Sequence, residues 1–439
     1  VSLSRKKAIN YFQQLNSLHT VELLESTPDT HILCYEINLG ENYGYHHTLA
    51  HSVLAPTTEL IDVEHFYVDV VNEPFPHFRL FYATPTSTDT LEITPTNEPK
   101  LLEAYAIRKN WGKKLNLQSV THINKAISQS RTKSIIQLSE ALHDNQVVTI
   151  ANNIVTNSIN GINPRLVLIA GPSSSGKTTF AKRLSIAIET LGGKPSVISV
   201  DSYYKAWMDI DSRGMQYVDW ESLDSLNLEL LNEQLFQLLS GNEVMVPEYD
   251  MKTSTPMSES HWIRTSVPSD GIIIMEGIHC LNPLLTSKIA KELKYHIMIS
   301  PLSALILDDQ NLISSSQVRM LRRMVRDYLF RGRSAHSTLR QWTSVLHGER
   351  KNIYPNQNNA DIVMNSGLIY EVHVLKVYAE PLLKTITPGL VEYAEARRLL
   401  SMLDKLVAMP PTNIPPQSLL CEFIGGSWFY DYAGMYKTA

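Results

Sequence analysis

The sequence predicts an α/β fold, in which a mostly parallel sheet flanked by helices surrounds a phosphate-binding loop and follows a smaller α+β domain. Three observations support this prediction. The apolar stretch LVLIA (166–170) runs directly into the glycine-rich segment GPSSSGKT, as a strand does before a phosphate-binding loop. From residue 165 onward, short apolar strands alternate with helix-like segments, which indicates parallel strands joined by helices. Residues 1–112 instead mix helix-like and strand-like patterns, which indicates a separate module.

The glycine-rich segment is typical of a loop that binds phosphate groups (a P-loop). Gly171 and Gly176 allow backbone angles that other residues avoid, so successive N–H groups can point at one phosphate where the next helix begins. Lys177 supplies a positive charge for the β/γ-phosphates, and the Thr178 hydroxyl is placed to ligate Mg²⁺. The loop alone does not distinguish a kinase from an NTPase or a GTP switch. Its candidate nucleotide-binding residues are Gly171, Ser173, Ser174, Ser175, Gly176, Lys177, Thr178 and Thr179.

Composition indicates an ordinary globular protein, with 43 % hydrophobic and 19 % charged residues. A net charge of −5 favours neither nucleic acid nor an anionic membrane as a partner. The three cysteines have no paired spacing, which argues against a disulfide framework or a cysteine-based zinc site and favours a reducing, cytoplasmic location. No apolar run approaches the length of a membrane span. The first residue, Val1, indicates a fragment or a processed form.

Pattern changes along the chain predict four segments. Residues 1–112 form the α+β module, residues 113–163 a helical connector, residues 164–390 the P-loop domain, and residues 391–439 a C-terminal helix with an extended, proline-containing tail. There is no internal repeat.

Two carboxylates follow predicted strands at the edge where parallel sheets bind ligands. Asp201 follows SVISV and is a candidate general base, which could take the proton of a substrate hydroxyl that attacks the γ-phosphate. The alternative for Asp201 is a capped turn. Glu276 ends the strand GIIIME and fits a direct or indirect Mg²⁺ role. A structural salt bridge is the alternative for Glu276.

An arginine-rich segment, residues 319–333, is the third chemical signal, with arginines three to four residues apart on one helix face. Such a helix could form a mobile clamp that balances the charge of the γ-phosphoryl group in the transition state and excludes water. A solvated basic face and a nucleic-acid-binding helix are the alternatives. The P-loop upstream favours the clamp.

Five motifs occur in the chain in this order: GPSSSGKTTFAKRL, VDSYY, PEYD, MEGIHCLNP and LRRMVRDYLFRGR. Together they resemble the uridine kinase and phosphoribulokinase family. More closely, the chain resembles fused nucleoside kinases in which a threonyl-tRNA-synthetase-like region precedes the kinase. The resemblance extends over nearly all of the chain, because RKKAINYFQQL, VELLE, AEPLL, EYAEARRLL and EFIGGSWF also fit that subgroup. It implies a P-loop kinase that uses ATP and Mg²⁺.

The resemblance also implies roles for individual residues. In uridine kinases the Asp matching Asp201 is the catalytic base, the Asp matching Asp219 binds the ribose hydroxyls, and the Tyr matching Tyr249 lines the nucleoside site. Where better-known members place a base-contacting His five residues after that Tyr, this chain has Ser254, so the resemblance supports phosphoryl transfer more strongly than recognition of uracil. The full candidate set is Asp201, Lys177, Arg326 and Arg333 for catalysis; Arg323 and Arg331 with the P-loop for the nucleotide; Tyr204, Asp219, Tyr249 and Arg323 for the substrate; and Thr178 and Glu276 for Mg²⁺ held through ATP.

The N-terminal module contains His47 and His51 at a spacing that suits two metal ligands on a helix. Two ligands leave a zinc site incomplete, so ordinary histidines are the favoured interpretation, and zinc binding completed by His65 or His77 is the alternative. Interdomain packing or dimerisation is the favoured role of the module, which leaves a homo-oligomer open.

The leading functional hypothesis is an ATP- and Mg²⁺-dependent kinase that phosphorylates the 5′-hydroxyl of a nucleoside, such as uridine. A kinase for a sugar phosphate or a pantothenate-like acceptor is the alternative within the same class. A nucleotide-binding scaffold or RNA-associated protein without turnover is the alternative from another class. The presence of Asp201, Glu276 and the arginines argues against the scaffold, and neither nucleic acid nor a membrane is expected as a partner.

Overall fold

The protein is described here by a computed structural model. It describes residues 1–38, 45–49, 66–71, 77–82, 98–156, 163–205, 209–210, 216–217, 221–250, 253 and 255–430. The sequence-predicted positions Asp219, Ser254, His51 and His65 lie outside these residues.

Twelve α-helices occur in the described part of the chain. They are α1 (Arg5–Gln14), α2 (Leu18–Ser26), α3 (Pro99–Lys114), α4 (Val120–Ser128), α5 (Thr132–Thr156), α6 (Lys177–Thr190), α7 (Leu228–Leu239), α8 (Ser315–Arg331), α9 (Ala335–Asn352), α10 (Glu371–Lys384), α11 (Tyr393–Leu403) and α12 (Cys421–Ile424).

Eighteen strands occur in the same residues. They are β1 (Ser2–Ser4), β2 (His31–Asn38), β3 (Tyr45–Leu49), β4 (Phe66–Val71), β5 (His77–Tyr82), β6 (Leu166–Ala170), β7 (Pro195–Ser199), β8 (Asp209–Ile210), β9 (Gln216–Tyr217), β10 (Val244–Val246), β11 (Tyr249–Asp250), β12 (Thr255–Pro256), β13 (Ile263–Thr265), β14 (Ile272–Glu276), β15 (Lys294–Ser300), β16 (Ile306–Asp308), β17 (Asn311–Leu312) and β18 (Ile362–Asn365).

The chain divides into two compact units. The first comprises residues 1–125, 303–313 and 404–406, and the second comprises residues 126–302, 314–403 and 407–439. The units interleave along the chain because two short later segments belong to the first one. The sequence-based division into four consecutive segments stays a prediction.

The first unit contains an antiparallel sheet in the order β1-β2-β3. Helices α1 and α2 bury Ala8, Phe12 and Leu23 against this sheet. The returning segment is anchored by Asp309, whose carboxylate accepts hydrogen bonds from the N–H (2.8 Å) and the hydroxyl (3.1 Å) of Thr20. A small α+β module therefore lies at the N-terminus, as the sequence predicts.

His47 lies in strand β3, which pairs antiparallel with β2, so the helical ligand spacing expected for His47 and His51 is wrong. The imidazole of His47 contacts Glu36 across the two strands, at 3.1 Å between Nε2 and Oε2. His46 contacts the Tyr11 hydroxyl at 3.1 Å through Nδ1. These contacts are those of ordinary polar histidines on a strand.

The second unit contains a parallel five-stranded sheet in the order β18-β15-β6-β14-β7. Strands β6 and β14 are buried along their whole length, which explains their unbroken apolar sequences LVLIA and IIIME. Helix α6 packs against β6, β7 and β14, and α5 packs against α6. The predicted α/β fold, with its parallel sheet and smaller N-terminal α+β region, is confirmed.

Strand β6 comes first along the chain among these five, and the later strands lie on both sides of it. The carboxyl end of such a strand is a topological switch point, where open parallel sheets bind their ligands. Glu276 at the end of β14 is in register with Ile169 of β6 and Ser199 of β7. The loop after β6, Glu276 and the residues after β7 therefore meet at one edge of the sheet.

Candidate active site

The P-loop, residues 171–178, adopts a backbone that its glycines permit. Gly176 caps α6 with a φ of 92°, a left-handed conformation that favours glycine. A Cβ on Gly171 would lie 2.1 Å from the carbonyl oxygen of Ile299, so no larger residue fits there. Both predicted glycine requirements thus have a structural reason.

The polar groups of the P-loop fit a bound anion. The hydroxyls of Ser174 and Ser175 are buried and have no hydrogen-bond partner within the described residues. Lys177 Nζ donates to the loop carbonyls of Gly171 (3.0 Å) and Pro172 (3.4 Å). Buried donors at a helix N-terminus, with a lysine folded over them, suit phosphate oxygens.

A short hydrogen-bond chain links the P-loop to the two predicted carboxylates. The Thr178 hydroxyl (3.1 Å) and the Ser199 hydroxyl (3.2 Å) both donate to Glu276 Oε1. Ser199 Oγ in turn accepts from the backbone N–H of Asp201 at 3.3 Å. The structure therefore brings Thr178, Glu276 and Asp201 together.

The pKa values of both carboxyls are displaced upward. Burial raises the pKa of Glu276 to about 7, and the nearby charge of Asp201 adds to the effect while Lys177 opposes it. Burial also raises the pKa of Asp201, against the lowering influence of Lys177, Arg331 and Arg326. Such displacement is typical of ligand-binding and catalytic groups.

Glu276→Gln should raise the melting temperature (Tm) of the nucleotide-free protein at pH 8 by a few degrees. The folded pKa of Glu276, about 7, lies above its usual value of 4.5, so the native state binds this proton more tightly than the unfolded chain. Stability from this group is present at low pH and is lost as the pH rises through about 7. The gain in Tm should therefore shrink towards pH 5 in thermal melts. The control Glu229→Gln, at an exposed position, should show no pH-dependent gain, and an equal gain for Glu276→Gln at both pH values would contradict the account.

The arginine helix α8 is organised by a carboxylate that the sequence interpretation missed. Asp327 is fully buried and lies within salt-bridge distance of Arg326 (2.7 Å), Arg323 (3.4 Å) and Arg331 (3.8 Å). Burial would raise its pKa, but Arg326, Arg323 and Arg331 together hold the pKa of Asp327 below its usual value. Asp327 thus holds the three arginines together as one group. The spacing of these arginines around Asp327 in the sequence was the signal that could have identified it.

The remaining arginines of the segment differ in role. Arg319 pairs with Glu349 (2.8 Å between Nη2 and Oε2), and Arg322 pairs with Glu371 at 2.6 Å; both arginines are buried. They also donate to backbone carbonyls of the P-loop, at 3.2–3.3 Å. Arg319 and Arg322 therefore fix the loop to α8 rather than form part of a mobile clamp.

The arginines predicted to form the clamp make different contacts. Arg323 Nη1 donates to the P-loop hydroxyl of Ser173 at 2.7 Å. Nearby Arg326 and burial lower the pKa of Arg331 to about 9. Arg333 lies at the end of the segment, where its side chain donates to Gln341 at 3.2 Å.

Two predicted substrate residues lie next to each other beside Asp201. The rings of Tyr204 and Tyr249 are 5.6 Å apart between centroids. Burial raises the pKa of Tyr249 to about 12, and the charge of Asp201 contributes to this shift as well as to that of Tyr204. A carboxylate missed from sequence, Glu221, also belongs here: burial raises its pKa to about 7, with Glu349, Arg323, Lys177 and Asp201 as its charged neighbours.

Comparison with known proteins identifies the family. Residues 166–372 match the sequence model of the phosphoribulokinase / uridine kinase family. A uridine kinase from Vibrio atlanticus is 30 % identical over 225 residues, which cover 50 % of this chain and 96 % of that protein. The chain belongs to the phosphoribulokinase / uridine kinase family. It is accordingly an ATP-dependent kinase.

A second relative and a solved structure match a similar share of the chain. A uridine kinase from Ureaplasma parvum is 29 % identical over 205 residues, or 46 % of this chain and 89 % of that protein. A solved structure described as a possible uridine kinase from Bacillus stearothermophilus covers 50 % of this chain and 97 % of its own, with a TM-score of 0.33 and 16 % identity. The similarity thus concerns about half of the chain. Within the described residues, no helix is long and apolar enough to cross a membrane.

Proposed function

We propose that the chain transfers the γ-phosphoryl group of ATP to the 5′-hydroxyl of a nucleoside, uridine or a close relative of it. One observation carries the proposal: Asp201 lies at the sheet edge shared with the P-loop, within the electrostatic reach of Lys177, Arg326 and Arg331. The neighbouring pair of Tyr204 and Tyr249 supplies aromatic surface next to that carboxylate. The relatives from Ureaplasma parvum and Vibrio atlanticus are named uridine kinases.

In this proposal the P-loop residues bind and orient the nucleotide. The hydroxyls of Ser174 and Ser175 and the N–H groups at the start of α6 donate hydrogen bonds to phosphate oxygens, and Lys177 leaves its loop carbonyls to contact the same oxygens. Thr178 and Glu276 are the residues that would hold Mg²⁺. In kinases Mg²⁺ is usually held by one or two protein groups together with substrate phosphates. Mg²⁺, when bound, neutralises phosphate charge.

Asp201 is the proposed general base. Its carboxylate accepts the proton of the 5′-hydroxyl as the oxygen forms a bond to the γ-phosphorus and the bond to the β-phosphate oxygen breaks. The raised pKa of Asp201 makes it a better proton acceptor than an exposed aspartate. Asp219 is proposed to bind the ribose hydroxyls, and Arg323, Arg326, Arg331 and Arg333 to balance the charge on the transferring group.

Arg326→Ala and Arg333→Ala should each lower kcat by about 10²-fold while changing the affinity for ATP much less. The reason is that charge on the γ-phosphoryl oxygens is balanced most strongly in the transition state. Steady-state kinetics and calorimetric titration with ATP separate the two quantities. Arg340→Ala, an exposed arginine on α9, is the control and should behave as the wild type. A loss of ATP affinity with kcat retained would assign these arginines to nucleotide binding instead.

The acceptor class is tested with an ADP-release assay on the purified protein. The panel contains uridine, cytidine and other nucleosides together with ribulose 5-phosphate and pantothenate. We expect ATP-dependent turnover on a pyrimidine nucleoside and none on the last two. Tight ATP binding without turnover on any acceptor would support the scaffold alternative.

We propose on the sequence resemblance alone that residues 1–112 are a threonyl-tRNA-synthetase-like module fused to the kinase and serve packing or dimerisation. A cytoplasmic location and the four-segment domain division belong to the same proposal. Light scattering of the full chain separates the two roles: twice the monomer mass would support dimerisation, and the monomer mass would support interdomain packing.

A further inference from the structure

The C-terminal part of the second unit contains a segment, residues 415–430, that we call the C-terminal strap. It includes α12, and its residues Leu419, Leu420 and Phe423 are at most 1 % exposed. The Ser418 hydroxyl donates to Glu140 of α5 at 2.7 Å. The strap is therefore a packed part of the unit.

The strap contacts the P-loop and the helix that follows it. A Cβ on Gly176 would lie 2.5 Å from a methyl carbon of Leu419, so the loop and the strap touch there. Glu422 Oε2 accepts hydrogen bonds from the backbone N–H (3.2 Å) and from the hydroxyl (2.7 Å) of Thr179. Further along, Lys182 Nζ donates to the carbonyl oxygen of Phe429 at 2.6 Å.

The groups that donate to Glu422, the backbone N–H and the hydroxyl of Thr179, are of the kind that bind phosphate in P-loops. Thr179 is the third residue of α6, and the first four N–H groups of a helix lack partners within the helix. In P-loops these N–H groups receive the α- and β-phosphates, helped by the positive end of the helix dipole. The Glu422 carboxylate and a nucleotide phosphate would therefore compete for the same donor groups of Thr179.

Electrostatic repulsion also disfavours the simultaneous presence of the Glu422 carboxylate and the nucleotide phosphates at this site. Burial raises the pKa of Glu276, and the nearby negative charges of Asp201 and Glu422 raise it further. A nucleoside triphosphate adds further negative charge close to them. Binding is thus easier after Glu422 has moved away, and it is also easier when that position carries no charge.

We propose that the C-terminal strap is an autoinhibitory device, in which Glu422 binds Thr179 in the nucleotide-free enzyme and gives way when ATP binds. The inference rests on the proposed binding of ATP at the P-loop. Gly425 and Gly426 directly follow α12 and have φ values of 92° and 77°. This glycine pair gives the backbone after Glu422 the freedom that such a movement needs.

The test is a calorimetric titration of the full chain with a non-hydrolysable ATP analogue and Mg²⁺. Glu422→Gln keeps the size and an acceptor oxygen but removes the charge, so the Kd for the analogue should fall by about three- to tenfold. The control Glu189→Gln removes a charge from the exposed far end of the same helix and should leave the Kd unchanged. An unchanged or weaker affinity in Glu422→Gln would overturn the proposal.

Thermal melts of the same proteins give a second readout. Without nucleotide, Glu422→Gln should lower the Tm, since the carboxylate no longer stabilises the start of α6. With saturating analogue the difference from the wild type should disappear, because Glu422 has then left Thr179. A Tm deficit that persists at saturation would mark Glu422 as a permanent structural contact and overturn the proposal. If the wild-type protein bound no analogue, both this inference and the proposed use of ATP would be overturned. If the wild type and Glu422→Gln bound the analogue with the same Kd, only this inference would be overturned.

Discussion

Asp201→Asn should lower kcat for phosphoryl transfer by about 10²-fold or more while leaving the affinities for ATP and nucleoside within a few-fold. Asparagine keeps the shape of the side chain and most of its hydrogen bonds, but it cannot accept the proton of the acceptor hydroxyl. The backbone N–H of Asp201 can still donate to Ser199, so the hydrogen-bond chain to Glu276 persists. An ADP-release assay beside calorimetry on both ligands measures the two effects.

A matched control is Asp224→Asn, which makes the same change at an exposed position of the same unit. It should have wild-type kinetics. If Asp201→Asn kept most of its kcat, Asp201 would be a structural cap of the turn after β7. Another group would then have to accept the proton of the acceptor hydroxyl.

Lys177→Ala should lower kcat by several orders of magnitude without unfolding the protein. The described hydrogen bonds of the Lys177 ammonium group go to the loop carbonyls of Gly171 and Pro172. The loop backbone is held independently, by Arg319 and Arg322 of α8. Removing the ammonium group therefore deletes the charge for the β/γ-phosphates and leaves the loop in place.

Circular dichroism and a thermal melt establish folding of the Lys177→Ala variant, and steady-state kinetics measure its loss of activity. Lys194→Ala, an exposed lysine beyond the end of α6, is the matched control and should retain full activity. Near wild-type turnover in Lys177→Ala would remove the P-loop lysine from the mechanism.

The sequence predicted the sheet and the P-loop because their signals are local. Strands buried on both faces are apolar throughout, as in LVLIA and IIIME, and the left-handed backbone of position 176 favours glycine. The positions of Asp201 and Glu276 followed from a general property of parallel sheets, whose carboxyl ends share one edge. Their proximity to the P-loop could therefore be inferred from the order of strands and motifs along the chain.

Other features depend on packing between distant parts of the chain, which a single sequence does not reveal. The arginines of α8 look alike in sequence, yet burial and pairing with Glu349 and Glu371 make Arg319 and Arg322 structural. Glu422 is 243 residues from Thr179 along the chain, so no spacing rule connects them. The spacing of His47 and His51 suggested a helix, but pairing with β2 makes the segment containing His47 a strand.

Analysis of the reaction product shows whether the phosphoryl group of ATP reaches the 5′-hydroxyl of a nucleoside. The enzyme is incubated with ATP, Mg²⁺ and either uridine or 5′-deoxyuridine, and the products are identified by mass spectrometry and phosphorus NMR. We expect ADP and a nucleoside 5′-monophosphate from uridine, and no product from 5′-deoxyuridine, which lacks the acceptor oxygen. A product phosphorylated at another ribose hydroxyl, or turnover on ribulose 5-phosphate or pantothenate with none on any nucleoside, would contradict it.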